Sequence, residues 1–101
     1  MANDDVKIEA AQFLGLISLL SNSALQQLGK VINPVTGKVE TNLEGARLTI
    51  DWLVMLEKKT INNLNQEEEA VLKSYISNLQ LNYIDELKKS GDNPEQTQEK
   101  E

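Results

Sequence analysis

The 101-residue chain contains no cysteine and no histidine. Without cysteine there is no disulfide framework and no thiolate metal site. Without histidine the commonest general base and the commonest metal ligand are both missing. Aromatic residues are scarce: Phe13, Trp52, Tyr75 and Tyr83. Positive charge is short as well, with 10 Lys and Arg against 16 Asp and Glu, a net charge of -6. That balance argues against a nucleic-acid or anionic-membrane partner, since both reward clustered cations. The first residues, MANDDVKIEA, are acidic, which does not fit a secretory or transit signal. A cytoplasmic location is therefore expected. A long apolar run is also wanting. The greasiest stretch, Gln12 to Gly29, is mostly apolar only from Phe13 to Leu20, and a membrane span needs about 20 such residues. No membrane span is expected.

What is present suits one folded domain. Apolar residues make up 40% of the chain, and the length allows one core but not two. The expected domain is residues 1–90. The segment 91–101, GDNPEQTQEKE, is polar, interrupted by Pro94 and acidic, and is expected to be a disordered tail.

Helix 1 is predicted from Asp4 or Asp5 to Leu28. Asn3, Asp4 and Asp5 suit a helix start, and Gly29 suits the left-handed residue that ends one. Val6, Ala10, Phe13, Ile17, Leu20 and Ala24 recur at spacings of three and four, a heptad seam. Leu16 and Leu19 broaden that stripe on one side, while Leu14 and Leu25 lie on another. Asn33-Pro34-Val35-Thr36-Gly37 then has turn chemistry, with a short β-like excursion expected around it. Helix 2 is predicted to open with a Thr41-x-x-Glu44 capping box. Leu43, Ala46, Ile50, Leu53, Val54, Ile61 and Leu64 fall on one side of it, and Leu48, Trp52, Met55 and Leu56 on the other. A helix apolar on two sides is central in a bundle or covered by a second subunit. Asn62 and Asn63 suit its end. Helix 3 is predicted to start at Asn65, to carry Leu72, Tyr75, Ile76, Leu79, Tyr83 and Leu87 as its stripe, and to stop at Gly91.

The segment NPVTGKVETNLEGARLTIDWLVMLEKKTINNLNQEEEAVL resembles a family of small bacterial proteins, the domain-of-unknown-function 1844 (DUF1844) family. The resemblance runs from about Phe13 to Leu87. It is carried by Gly29, the Pro34-x-Thr36-Gly37 turn, Leu43, Ala46-Arg47, Ile50-Asp51, Met55-Leu56, Lys59-Thr60, Asn63-Leu64 and Glu67 to Glu69. Asn62 stands where the family often has Gly, and Asn is the next residue best suited to positive φ. The resemblance implies an intact bacterial domain and brings no activity with it.

Several groups are candidates for sites. Glu67, Glu68 and Glu69 are metal-ligand residue types, but neighbouring helical positions point in different directions, so a charged first turn is the reading. There is no Glu-x-x-His, so the di-iron bundle pattern is missing. Arg47, Asp51 and Lys58 share a flank of helix 2. With Lys59 and Thr60 they form a candidate anion or carboxylate site, against the plainer reading of a charged flank with an Arg47–Asp51 pair. Glu57 lies among Leu53, Val54, Ile61 and Leu64, where a carboxylate needs a partner. It is expected to make an interhelical polar contact, with a catalytic acid as the sharper alternative. Trp52 with Leu48 and Met55 suits subunit packing, with a small-molecule pocket as the alternative.

The sequence thus predicts an all-α, three-helix domain: a long helix 1, then an antiparallel hairpin of helices 2 and 3. Helix 1 either packs on its own hairpin or is exchanged between protomers. A homodimer is expected, with Phe13, Leu16, Ile17, Leu19, Leu20, Ala24, Leu48, Trp52 and Met55 as the candidate interface. Arg47, Asp51, Glu57 and Lys59 are the candidate polar site. With no convergent catalytic motif, no enzyme activity and no cofactor are expected. The favoured role is a homo-oligomeric scaffold or interaction module, which leaves room for a further protein partner. An apolar-ligand-binding bundle and a subunit of an enzyme complex are the alternatives.

Overall fold

The computed structural model describes residues 2–91 and contains three α-helices: α1 (Ala2–Gln27), α2 (Leu43–Lys59) and α3 (Gln66–Lys89). The all-α class holds, and among the described residues there is no strand. The β-like excursion between α1 and α2 reduces to a single antiparallel bridge, Leu28 with Thr41. Apart from Gly91, the segment expected as an acidic tail lies outside the described residues.

α1 ends as its sequence dictates. Gly29 takes φ +76°, its N–H donates to the Gln26 carbonyl at 3.0 Å, and the Lys30 N–H donates to the Leu25 carbonyl at 2.9 Å. This is a Schellman motif, and it satisfies carbonyls that the last turn would otherwise leave unpaired. The chain then turns through Asn33–Gly37. The Gly37 N–H reaches the Asn33 carbonyl at 2.8 Å, the Asn33 Oδ1 accepts from the Val35 N–H at 2.9 Å, and Gly37 takes φ +72°.

The start of α2 differs from the expected Thr41 box. Asn42 is the cap, its Oδ1 accepting from the Gly45 N–H at 3.0 Å. Thr41 is held by the bridge to Leu28, which takes it off the helix axis. The end of α2 differs too. The helix stops at Lys59, and the Thr60 hydroxyl donates to the Leu56 carbonyl at 2.7 Å. Ile61 therefore does not extend the apolar stripe and is 71% exposed. Asn62 adopts φ +66°, in keeping with its left-handed preference. Leu64 returns to the core from the connecting loop.

α3 opens with a reciprocal box. The Asn65 side chain accepts from the Glu68 N–H, and the Glu68 carboxylate accepts from the Asn65 N–H, both at 2.8 Å. Glu68, the middle of three successive acids, is nearly buried in this role. Replacing Asn65 with Ala should cost about 1 kcal/mol. For a domain of this size that lowers Tm by roughly 4–8 °C. Thermal denaturation followed by circular dichroism checks it, and an unchanged Tm would show that the box contributes nothing.

The core gathers Ile17, Ala24 and Leu28 from α1 and its end, Ala46, Ile50 and Leu53 from α2, and Leu72, Ile76 and Leu79 from α3. Two contacts set the register of α1. Near its end, Gln27 meets Thr49 of α2 at 2.8 Å. With its Nε2 turned inward, Gln27 donates to the Thr49 hydroxyl, which donates in turn to the Gly45 carbonyl. Further back, the Ser18 and Tyr75 hydroxyls lie 3.0 Å apart. Together with the Lys30–Glu86 contact at 2.7 Å, this makes α1 and α3 parallel and α2 antiparallel to both. Helix 1 thus packs on its own hairpin.

The expectation of no membrane span does not rest on length. By length and composition, Asp4–Gln27 is long and apolar enough to cross a membrane, so length does not rule out a span. In this fold Ile17, Ser21 and Ala24 of that helix are buried in the bundle. Only 17% of the residues in the apolar window are buried, however, and Leu16 and Leu19 are among those left exposed.

Candidate functional site

The uncovered surface has a definite place. A helix advances about 100° per residue. On α1, Gln27 marks the side facing α2 and Ser18 the side facing α3. Leu16 stands about 20° and Leu19 about 80° around the helix from Gln27, turning outward on the α2 side. On α2, Thr49 marks the side facing α1. Trp52 stands about 60°, Leu48 about 100° and Met55 about 120° from it, again turning outward and away from the buried Leu53. The two arcs meet on one face, across the α1–α2 seam from α3. Leu16, Leu19, Leu48, Trp52 and Met55 are all exposed there, Leu19 to 64% and Trp52 to 53%. Large apolar side chains grouped on one face signify more than the same number scattered singly.

The remaining candidates for the interface lie inside the chain's own bundle. Ile17 and Ala24 are fully buried, and Phe13 and Leu20 are partly buried against the core. The heptad seam therefore serves two ends. Its middle and C-terminal positions build the monomer core, while Val6 at its start is 58% exposed. Asp4 through Glu9 are exposed throughout.

The candidate polar residues do not converge. Arg47, Asp51 and Lys59 are exposed and Glu57 is half-buried. Among the described residues no ion pair joins any of them, the expected Arg47–Asp51 pair included. Glu57 escapes burial because α2 ends two residues later, before Ile61 can wall it in. Asp51, Lys58 and Lys59 line an open depression with Val54 and Met55. All five residues come from α2 alone. Among the described residues no second element closes the depression, so there it lacks the enclosure that a small-molecule site needs. Among the described residues no cluster of acidic side chains is arranged to hold a metal ion.

Two features escaped the sequence analysis. The first is an ion cluster at one end of the bundle. Lys30 Nζ lies 2.7 Å from Glu86 Oε2 and 3.7 Å from Asp85 Oδ2, and Lys89 Nζ lies 3.1 Å and 3.3 Å from the same two atoms. The hydrogen bond from Lys30, then that from Lys89, holds the Glu86 carboxyl below its ordinary value. The Glu86 hydrogen bond, then Asp85, raises Lys89. A depressed carboxyl stabilises the fold above its unfolded pKa and loses that contribution as pH falls through its folded value. The three- and four-residue spacings to Lys89 were readable in the sequence. Lys30, 56 positions away from Glu86, gave no local signal. The second feature is the set of exposed apolar residues on the α1–α2 connection, Val31, Ile32, Val35 and Val39, with Val35 91% exposed at the turn.

Among known proteins, the family model described as a domain of unknown function (DUF1844) matches residues 10–85. No curated protein and no solved structure matches the chain.

Proposed function

The chain belongs to the DUF1844 family, and from that premise we propose that it is a non-catalytic, homodimeric helical module of the cytoplasm that presents a surface to other proteins. The observation that carries the reading is the apolar face of Leu16, Leu19, Leu48, Trp52 and Met55, left exposed by a bundle whose own core is complete. Leaving a large apolar side chain in water forgoes about 1.5–3 kcal/mol. Five of them on one face favour a partner strongly. A second copy is the partner always present at matching concentration, and a two-fold interface needs only a self-complementary patch. The chemistry fits the same reading. The chain has no histidine or cysteine, and its carboxylates and lysines on α2 do not converge on one point. An enzyme role would have to come through a partner.

Light scattering coupled to size exclusion, at micromolar concentration, should give a particle of about twice the 11.3 kDa chain mass. A folded particle of single-chain mass under those conditions would overturn the homodimer and leave the face for a different protein.

A further inference from the structure

Resting on the homodimer reading, we infer that the second copy docks antiparallel along α2, with the two-fold axis passing beside the Asp51–Trp52 peptide and ion pairs closing both ends. The argument is a palindrome on the outer face of α2. Glu44, Leu48, Trp52, Met55 and Lys59 occupy an arc of about 80° on the side away from Leu53. Glu44 and Lys59 are equidistant in sequence from the Asp51–Trp52 peptide, and so are Leu48 and Met55. An antiparallel neighbour centred on that peptide therefore sets Glu44 opposite the partner's Lys59, and Leu48 opposite the partner's Met55, each twice by symmetry. The two Trp52 rings then meet beside the axis, where aromatic side chains contribute most to an interface.

The charges select this arrangement over its parallel alternative. Parallel α2 helices would set Glu44 against Glu44 and Lys59 against Lys59. Antiparallel ones turn both ends into attractions. Lys58, next to Lys59, adds to the positive end. Both Glu44 and Lys59 are exposed, and among the described residues neither has an ion-pair partner. Glu44 in the first turn and Lys59 in the last also suit the dipole of α2 itself. Side-by-side antiparallel helices place those dipoles favourably as well. The two Asp51 carboxylates fall near one another at the rim, where exposed like charges cost little. Leu16 and Leu19 border the same face from α1, alongside the partner's helix.

The test uses charge reversal and mixing. Wild type, Glu44→Lys and Lys59→Glu are each measured by light scattering and by analytical ultracentrifugation. Each variant places like charges at both ends of its own homodimer and should weaken it about tenfold or more. Mixing the two variants should restore a dimer. One chain then carries lysine at both positions and the other glutamate at both, so opposite charges face each other at either end. A wild-type dimer that neither reversal weakens, or a mixture that stays dissociated, overturns the register and leaves the homodimer reading standing. A wild-type monomer overturns both. If a reversal unfolds the chain by circular dichroism, Asp51→Cys decides instead, since the chain has no other cysteine. A short bifunctional thiol reagent should then link two chains in high yield, with Lys73→Cys on α3 remaining unlinked. A dimer in which Asp51→Cys fails to cross-link refutes the placement of the axis.

Discussion

Leu19→Glu combined with Trp52→Glu should yield a folded monomer, with the dimer weakened by more than about four orders of magnitude. The size follows from symmetry. Each substitution enters the interface twice, so four apolar side chains are lost and four carboxylates take their place. Each side chain is already partly covered in the single chain, so at about 0.8 kcal/mol for each lost burial the loss is about 3 kcal/mol, and the four carboxylates taken into the interface add at least as much. A factor of ten in Kd corresponds to about 1.4 kcal/mol. The fold should survive because both side chains are largely in water in the single chain, 64% exposed for Leu19 and 53% for Trp52. Light scattering reads the mass, and circular dichroism reads the helix content. Tm should fall somewhat and lose its dependence on protein concentration, since dissociation removes the stabilisation that association supplies. A double variant that remains dimeric would place the interface elsewhere. The contrast is Leu53→Ala on the opposite side of the same helix. Leu53 is fully buried, and its truncation should cost about 2–5 kcal/mol of fold stability.

The helices were legible in the sequence because each carries its own punctuation. Gly29, Asn62, Asn65 and Gly91 stand where the backbone or the caps require such residues, and each behaves accordingly. The errors at the two ends of α2 have separate origins. Thr41 and Asn42 are both good caps by residue type. What chose between them is the pairing of Thr41 with Leu28, far enough back in the chain that a local pattern does not contain it. At the other end, Ile61 and Leu64 fit the period of α2 well enough to extend it on paper. The turn at Thr60 to Asn62 breaks the helix first, and that also undid the expected burial of Glu57.

The site was legible only as a surplus. Periodicity showed that α1 and α2 carry more apolar residues than one bundle covers. It did not say which of them the bundle covers. Ile17 and Leu16 are neighbours with the same apolar character, yet one is fully buried and the other 46% exposed. The difference is set by the rotation of α1 against its hairpin, fixed by Gln27–Thr49 on one side and Ser18–Tyr75 on the other. The polar members of those pairs drew no attention in the sequence, since Gln, Ser and Thr on a helix are usually read as solvated. The polar candidates failed for the converse reason. Arg47, Asp51 and Lys59 are close in sequence and share α2, but among the described residues nothing folds over them to make proximity into a site.

Gly29→Val should be the most damaging single change outside the core, costing about 3 kcal/mol or more. Two effects add. Gly29 sits at φ +76°, where a side chain crowds the following carbonyl at a cost of about 1–2 kcal/mol, and a β-branched one fares worse. A Cβ there would also stand 2.6 Å from Thr41 Oγ1 and 3.6 Å from Val39 Cγ1. Relief requires the Thr41 side chain to rotate, or its backbone to shift against the bridge to Leu28 and the Asn42 N–H that donates to the Gln27 carbonyl at 2.7 Å. Strain that the rotation does not relieve passes into the point where α1 is tied to the start of α2. Gly37→Val separates the two effects. Gly37 has nearly the same φ, +72°, but nothing lies within 4 Å of its Cβ position. That variant should carry the backbone cost alone. Thermal unfolding should show Gly29→Val losing roughly 12–24 °C, at about 4–8 °C per kcal/mol, and Gly37→Val losing about half as much or less. Equal losses at the two positions would mean that the Thr41 side chain rotates clear and that the backbone conformation alone sets the cost.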